Sequence, residues 1–211
     1  MSQSSSKSIR VAGRPRSELS RTAILDAAYG FLQTRPISSI SPLHIARKAG
    51  VSTATVYRWW PTKEALLLDA FLYRREKRMP PISGYSGLER VRQYVLRSGR
   101  FLMGKDGIVV ARLLTAIQDD PVLRLEFLER VYSPNTREIQ VAVEDAIREG
   151  QLPPTNVAQF LDMVFGPIIT RLLIRHEPIR ELFVNSVFEH VVAGVKANAT
   201  KVAAGSESEP T

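Results

Sequence analysis

Apolar residues recur every three or four positions along most of the chain, which is the spacing of one face of an α-helix. A clear example is the stripe Ile24, Ala27, Ala28, Phe31 and Leu32. The strict apolar–polar alternation of a half-buried strand does not occur in the sequence. The pattern therefore predicts an all-α protein. The predicted helices span residues 17–34, 42–49, 53–59, 62–78, 88–103, 108–118, 121–132, 135–149, 156–175 and 178–196.

The second and third predicted helices are short and are joined by a tight turn. Ser41 can cap the first of them, and Pro42 suits its first position because proline has no N–H to leave unpaired there. Gly50 can take the positive φ that ends a helix, and Ser52 can cap the second. The apolar positions of the pair are Leu43, Ile45, Ala46, Ala49, Ala54, Val56 and Trp60. This order of elements predicts a helix-turn-helix, whose second helix enters the major groove of DNA.

Hydrogen-bond donors on the outer face of this motif are candidates for contacts with phosphates and base edges. Lys63 follows the second helix, where its charge can reach a phosphate beside the groove. An ordinary αα-hairpin with a solvated polar face is the alternative, but it does not require the cap, glycine turn and polar face together. The predicted DNA-binding residues are Arg14, Arg16, Ser41, His44, Thr53, Ala54, Thr55, Tyr57, Arg58, Trp59 and Lys63.

Proline- and glycine-rich stretches divide the chain. The segment PPISGYSG at residues 80–87 cannot hold a helix, so it predicts a boundary between two domains, residues 17–79 and residues 88–197. Residues 1–16 contain five serines and four basic residues, and they predict a flexible basic arm that either is a solvated tail or touches DNA. Residues 198–211 predict a flexible polar tail.

Positive charge is concentrated in the N-terminal part of the chain. Residues 1–80 carry 14 Lys and Arg against 5 Asp and Glu, a net charge of +9. Residues 81–211 carry 15 against 16, a net charge of −1. A polyanionic partner for the N-terminal domain follows directly, because phosphate contacts supply most of the sequence-independent affinity for DNA.

The same sequence argues against several other classes of protein. No apolar run approaches the roughly 18 residues of a membrane helix, and the N-terminus lacks a signal-peptide core, so we expect a cytoplasmic protein without a membrane partner. Cysteine is missing, and His44, His176 and His190 do not have metal-ligand spacing. Asp119 and Asp120 fit a helix stop and cap better than an acid–base pair. We predict no enzyme activity, no cofactor and no metal site.

The segment IARKAGVSTATVYRWWPTKEALL resembles the DNA-binding segment of the TetR family of bacterial transcriptional repressors. The shared features are the Ile-Ala pair, the Ala-Gly-Val-Ser turn, the Thr/Val-Tyr helix and the Lys-Glu-Ala-Leu-Leu start of the next helix. The match covers about residues 14–72, and GPIITRLLIRHEPI at residues 166–179 is similar to a segment of one TetR subgroup's regulatory domain. One departure is Trp60, which stands where the family usually has Phe. The resemblance implies an N-terminal three-helix DNA-binding domain and a C-terminal helical domain for dimerisation and ligand binding.

The last two predicted helices carry more apolar surface than a monomer of this size covers easily. Residues 156–175 are apolar nearly all round, which predicts burial on most sides. Two such hairpins from two subunits would form a four-helix interface, so we predict a homodimer through residues 156–196. The alternative is that both are inner helices of one domain. The TetR resemblance also implies the dimer.

Pro167 removes the backbone hydrogen bond to the carbonyl of Met163, and Gly166 loosens the same turn, so a kink is expected. A kinked apolar helix leaves a gap against its neighbours, which predicts a mostly apolar effector pocket. Arg171 is the charge expected to meet the ligand. The alternative is that Arg171 pairs with a carboxylate, such as Asp162 or Glu144, and that the kink fits the dimer interface. The predicted ligand-binding residues are Phe101, Met103, Leu114, Gln118, Phe127, Met163, Phe165 and Arg171.

Taken with the resemblance, the sequence predicts a TetR-type transcriptional regulator, expected to be a repressor. It would bind a palindromic operator as a homodimer and be released by an unidentified small-molecule effector. The rival hypothesis is an architectural DNA-binding protein without an effector, which would show steep salt dependence and little sequence preference.

Overall fold

The computed structural model describes the backbone of residues 14–206 and the side chains of residues 18–200. Across that range every regular element is helical, which confirms the predicted all-α class. The helices are α1 (Arg14–Thr34), α2 (Pro42–Ala49), α3 (Thr53–Trp59), α4 (Lys63–Arg78), α5 (Gly87–Leu102), α6 (Lys105–Asp119), α7 (Pro121–Phe127), α8 (Ser133–Arg148), α9 (Val157–Thr170) and α10 (Glu181–Ser206). A 3₁₀ turn spans Ile37–Ser39, and π-helical turns span Leu128–Tyr132 and Arg171–Arg175. The chain divides into two compact units, Met1–Ala70 and Phe71–Thr211, and the dividing position along the sequence falls within α4.

The first unit is built around the apolar face of α1. Ile24, Leu25 and Leu32 are fully buried, and α1 packs on α2, which packs on α3. Leu66 and Leu67, from the first part of α4, are fully buried in the same unit. Apolar burial of this kind is the main favourable contribution to the stability of a small helical domain.

The start of α1 differs from the prediction. The helix begins at Arg14 and not at Ser17. Pro15 explains the earlier start, because its fixed φ and missing N–H suit the first turn of a helix. Residues 1–13 of the predicted arm lie outside the described residues, as do the side chains of Arg14 and Arg16.

The bounds of α2 and α3 agree with the sequence prediction, and so does the burial of Ile45, Ala46 and Val56. Leu43 is an error in that prediction, because its side chain is 62% exposed. It lies two residues before Ile45, which places it about 200° around the helix axis and hence on the opposite face.

The second unit has a continuous core formed by α5, α8, α9 and α10. Helix α5 packs on both α8 and α10, and α9 packs on α10. The approach of α5 to α10 depends on Gly99, since a Cβ atom there would lie 2.7 Å from a methyl carbon of Val184. A larger residue at position 99 would therefore push the two helices apart.

The predicted break at Ser133-Pro134 is wrong. The chain continues through the π-helical turn Leu128–Tyr132 directly into α8, and the Ser133 N–H donates to the carbonyl of Leu128. Pro134 then lies in the first turn of α8, where its missing N–H costs little. The wider turn lets the helix pass a proline without a clash between its ring and the preceding carbonyls.

The C-terminal helices also differ from the prediction. Helix α10 begins at Glu181 instead of Pro178 and continues to Ser206 instead of ending near residue 196. Four alanines between residues 197 and 204 favour this extension, because alanine is the best helix former. Residues 207–211 of the predicted tail lie outside the described range.

Helix α9 follows an Asn156 cap whose side chain accepts from the Gln159 N–H, and the helix continues past Pro167. It is not buried on most sides in the single chain, since Met163 is exposed and Ile174, in the turn that follows, is 74% exposed. By length and composition alone, the segment Val157–Arg175 could cross a membrane, a property it shares with core helices of soluble proteins.

Candidate nucleic-acid interface and ligand cavity

Side-chain caps fix the turn between α2 and α3. The Ser41 hydroxyl accepts from the His44 N–H at 3.3 Å, and the Ser52 hydroxyl accepts from the Thr55 N–H at 3.1 Å. Gly50 has φ 68°, the left-handed conformation that ends α2. The caps hold the start of α3 in one orientation, which a helix that reads DNA requires.

Helix α3 presents an outer face opposite its buried anchor. Val56 and Trp60 are buried, whereas Ala54, Tyr57 and Arg58 are exposed. Thr53, Thr55 and Trp59 are half-buried, and the Thr55 hydroxyl lies 2.9 Å from that of Ser52. The 50% exposed phenol of Tyr57 and the guanidinium of Arg58 are therefore the longest donors available on this face.

Two adjacent tryptophans support the end of α3. The Trp60 indole N–H donates to Asp69 at 2.8 Å, and the rings of Trp59 and Trp60 lie 6.2 Å apart. The Arg21 guanidinium lies 6.0 Å from each ring centroid. The Trp59 indole N–H is buried and makes no hydrogen bond to any described residue. In this conformation Trp59 supports the helix and does not offer its N–H to a ligand.

The remaining predicted DNA-binding residues surround this face in the chain. His44 is exposed on α2, and Ser41 is used as a cap. Lys63 begins α4 just after Thr62, whose hydroxyl accepts from the Ala65 N–H, and its ammonium lies 3.7 Å from Glu64. The sequence prediction did not name Arg47 and Lys48, which are exposed in the last turn of α2 and add positive charge to the same motif.

A cavity of about 500 Å³ lies within the second unit. Its wall is contributed by the last part of α4, by α5 to α9 and by the π-helical turn before α8. Gly166 lies on the wall, beside the proline where a gap was expected. The volume falls in the range of pockets that hold small-molecule ligands.

Half of the predicted ligand-binding residues line this cavity, namely Phe101, Leu114, Phe127 and Phe165. Met103, Gln118, Met163 and Arg171 do not line it. Met163 lies about 200° around α9 from Phe165 and is exposed, and the Gln118 amide donates to the Leu114 carbonyl of its own helix.

Arg171 is engaged elsewhere. Its guanidinium lies 3.1 Å from the Glu177 carboxylate and 3.8 Å from the centroid of the Phe183 ring. The alternative that Arg171 pairs with a carboxylate is therefore what the structure shows, although the partner is Glu177 and not Asp162 or Glu144. A short turn back after α9 brings Glu177 within reach, and spacing along a helix does not reveal such a contact.

The cavity instead carries polar groups that sequence reasoning missed. Arg75 donates to the side-chain oxygen of Asn135, and the Tyr94 hydroxyl donates to the Asn135 carbonyl at 3.0 Å. Burial lowers the pKa of Arg75 and raises the pKa of Tyr94, because both charged forms lose solvation. Ser98, Thr136 and an exposed Asp162 also reach the wall.

The sequence prediction did not name Arg75 as a ligand-binding residue, although Arg75 is half-buried and lies on the cavity wall. Arg78, three residues later, is exposed and lies 3.4 Å from the buried carboxylate of Asp106. A signal was present, since Phe71, Arg75 and Met79 recur at intervals of four residues, and all three line the cavity.

Two family models match the chain, one over the helix-turn-helix and one over most of the second unit. The model described as bacterial regulatory proteins, tetR family, matches residues 24–70, and the tetracyclin repressor-like C-terminal domain matches residues 88–191. An uncharacterized HTH-type transcriptional regulator of Bacillus subtilis (strain 168), YdeS, is 31% identical over 188 residues, which cover 89% of this chain and 95% of that protein.

The chain belongs to the TetR family. Its fold is also that of solved transcriptional regulators. The TetR family transcription regulator SCO0332 has a TM-score of 0.63 and 28% identity, covering 83% of this chain and 98% of that one. The transcriptional regulator FadR from Bacillus subtilis, solved in complex with stearoyl-CoA, has a TM-score of 0.67 at 20% identity, covering 82% and 98%.

This TetR-family protein is accordingly a helix-turn-helix transcriptional regulator with a C-terminal helical domain. The family consists of transcriptional regulators, which are generally not enzymes and which bind DNA and small-molecule ligands. Among the described residues, no group of three or more His, Asp or Glu is arranged to hold a metal ion. The outer face of α3 and the cavity of the second unit are the two candidate binding sites.

Proposed function

We propose that this TetR-family regulator is a homodimeric repressor that binds a palindromic operator and leaves it when a small molecule fills the cavity. The observation that carries the proposal is the roughly 500 Å³ cavity, mostly apolar with a few polar groups, in a chain that also presents a capped recognition helix. An architectural DNA-binding protein has no use for such a cavity, so the structure gives that rival no support.

The proposed operator contacts come from the exposed donors of the first unit. Tyr57 and Arg58 are exposed on α3 and Thr53 is half-buried at its first position, where they would contact bases or the phosphates beside them. Lys63 would neutralise a phosphate at the start of α4, and Arg14 and Arg16 are proposed for the same role. The excess positive charge of residues 1–80 supports this assignment.

Exposed apolar side chains support the proposed dimer. Met163, Ile174 and Leu182 are all exposed in the single chain, Leu182 by 82%. They belong to the last two helices and the turn between them, within residues 156–196. A large exposed apolar surface marks an interaction site, and a two-fold dimer through this hairpin would carry two recognition helices. A palindromic operator mirrors such two-fold symmetry.

Helix α4 offers a route from ligand to DNA. Its first residue, Lys63, follows the recognition helix, whereas Phe71, Arg75 and Met79 at its other end line the cavity. A ligand that binds one position of α4 better than another shifts the population towards that conformer. If the favoured conformer alters the spacing of the two recognition helices, the dimer no longer matches its half-sites. We place this regulator in the cytoplasm, where chromosomal DNA lies.

The deciding experiment is selection of bound sequences from random DNA, followed by titration of the selected site. We expect two inverted half-sites whose centres lie about 10 base pairs apart or a multiple of that distance. A small-molecule screen against the complex should then yield a compound that releases the DNA. Binding with a steep salt dependence and no sequence preference would instead favour the architectural role.

A further inference from the structure

The second unit contains a cationic group in an apolar wall without an acidic partner. Arg75 on α4 is half-buried, and its hydrogen-bonding neighbours are the Asn135 amide oxygen and the Tyr94 phenol, both neutral. No described carboxylate lies within ion-pair distance of its guanidinium. A half-buried cation without an anion is costly, because its desolvation is not compensated by attraction to an opposite charge.

Among the described residues, Glu138 is the carboxylate that acts on the charge of Arg75, and it already forms an ion pair with Arg97. Glu138 lies 3.2 Å from Arg97, whose guanidinium also lies 4.7 Å from the Tyr94 ring centroid. Arg97 and Glu138 therefore act on Arg75 with opposite signs, and this cluster of two arginines and one glutamate keeps a net charge of +1. The pKa of Arg75 is lowered, because desolvation by burial disfavours its charged form more than Tyr94 and Glu138 favour it.

The other side chains of the cavity wall are mostly apolar, so they favour contact with a hydrocarbon group of a ligand. Apolar side chains from six helices enclose the space, among them Phe71, Phe101, Leu114, Phe127, Ile139 and Phe165. Asp162 is the acidic residue on the wall, and because it is exposed its charge is solvated and repels an anion at Arg75 only weakly. The cavity therefore combines one positive charge that has no ion-pair partner among the described residues with a mostly apolar surface.

We propose that the ligand of this cavity is an amphiphilic monocarboxylate, whose carboxylate pairs with Arg75 and whose hydrocarbon body contacts the aromatic and aliphatic wall. The planar guanidinium suits a carboxylate in two-point contact, with Tyr94 and Asn135 holding it in place. This inference rests on the proposed effector function and adds to it the chemical class of the ligand. A free acid and its coenzyme A thioester share the acyl body, and they differ in whether the carboxylate is present.

Calorimetric titration of the full-length protein tests whether binding depends on a carboxylate in the ligand. The probes are decanoate, 1-decanol and decanoyl-coenzyme A. We expect decanoate to bind roughly tenfold or more tightly than 1-decanol, the gain of a hydrogen-bonded charge pair over a neutral contact. Arg75→Gln should remove this preference and leave decanol binding unchanged, which also shows that the variant is folded. Arg75→Lys should keep part of the preference. Arg148→Gln, at a largely exposed arginine of α8, is the matched control and should behave as wild type.

Each of the following results would refute one part of the proposal. Equal affinity of the wild type for decanoate and decanol, or a preference that survives Arg75→Gln, refutes the carboxylate pairing and leaves the cavity as a binding site. Tighter binding of the thioester than of decanoate replaces the free acid by an acyl thioester. Failure of all three probes to bind refutes the cavity as a site for acyl ligands. Release of operator DNA is scored in a separate assay, so binding without release counts against the proposed function alone.

Discussion

The two units of this regulator place their functional side chains in different ways. In the first unit, the proposed DNA-contacting groups of α2, α3 and the start of α4 lie on one continuous stretch, and Tyr57 and Arg58 extend into solvent. In the second unit, the cavity is assembled from side chains of six helices and a π-helical turn, spread over residues 71–169, and its groups also form part of the packed interior. The first arrangement depends on local geometry, and the second depends on tertiary packing.

This difference has an energetic consequence. An exposed side chain on a rigid helix can be removed with little change in stability, because it has few packed neighbours. A side chain in a packed interface or cavity contributes to both folding and binding, so its replacement changes both. Substitutions that separate function from stability should therefore be common in the first unit and uncommon in the second.

The largest effect is expected at the proposed subunit interface. Val187→Glu places a charge on the half-buried face of α10, and an unpaired charge in an apolar interface costs about 3–5 kcal/mol in each subunit. Sedimentation should show monomer or insoluble protein, and operator affinity should fall with it. The same substitution at Val141, an exposed valine of α8 outside residues 156–196, should leave the dimer intact. A wild-type monomer at micromolar concentration contradicts the dimer itself.

Tyr57→Ala is expected to give the largest loss within the first unit. Removing this donor should weaken operator binding by about 1–3 kcal/mol, the worth of one good contact, with no shift of the unfolding midpoint. Tyr85→Ala provides the matched control, since both phenols are 50% exposed. A binding titration in which the two variants behave alike would remove Tyr57 from the interface.

One helix cap in each unit allows the effect of losing a cap to be compared between the two units. Ser52→Ala in the first unit and Asp120→Ala in the second each delete a side-chain acceptor for a helix N–H, at 3.1 and 2.9 Å. Each should lower the free energy of unfolding by about 1 kcal/mol, measured by denaturant titration. Ser38→Ala, at an exposed serine, is the control. Only Ser52→Ala should also weaken operator binding, and an equal loss from Asp120→Ala would show coupling that these local contacts do not explain.

The smallest effect concerns long-range charge. Lys63→Ala should weaken binding almost equally for all DNA sequences and lower the slope of log affinity against log salt by about one. Lys105→Ala tests the same change at the first residue of α6 in the second unit, and it should leave the slope unchanged. An unaltered slope for Lys63→Ala would mean that Lys63 contacts no phosphate.

Local sequence determined the helix-turn-helix almost completely. The bounds of α2 and α3, their two serine caps and the left-handed Gly50 follow from residues within one or two turns of each other. The all-α class likewise follows from apolar spacing, because each helix must bury one face. The prediction of a gap beside Gly166 also came from a local property, the hydrogen bond that Pro167 cannot make.

Tertiary structure decided which side chains meet, and in particular where the charges lie. Spacing along the chain could not show that Arg171 turns to Glu177, or that Arg75 faces a cavity beside Tyr94 and Asn135. Nor could it show that the chain would pass Pro134 through a π-helical turn. The physical reason is range: caps and helical periodicity depend on neighbours within about four residues, whereas burial of an arginine depends on helices that packing brings together from distant parts of the sequence.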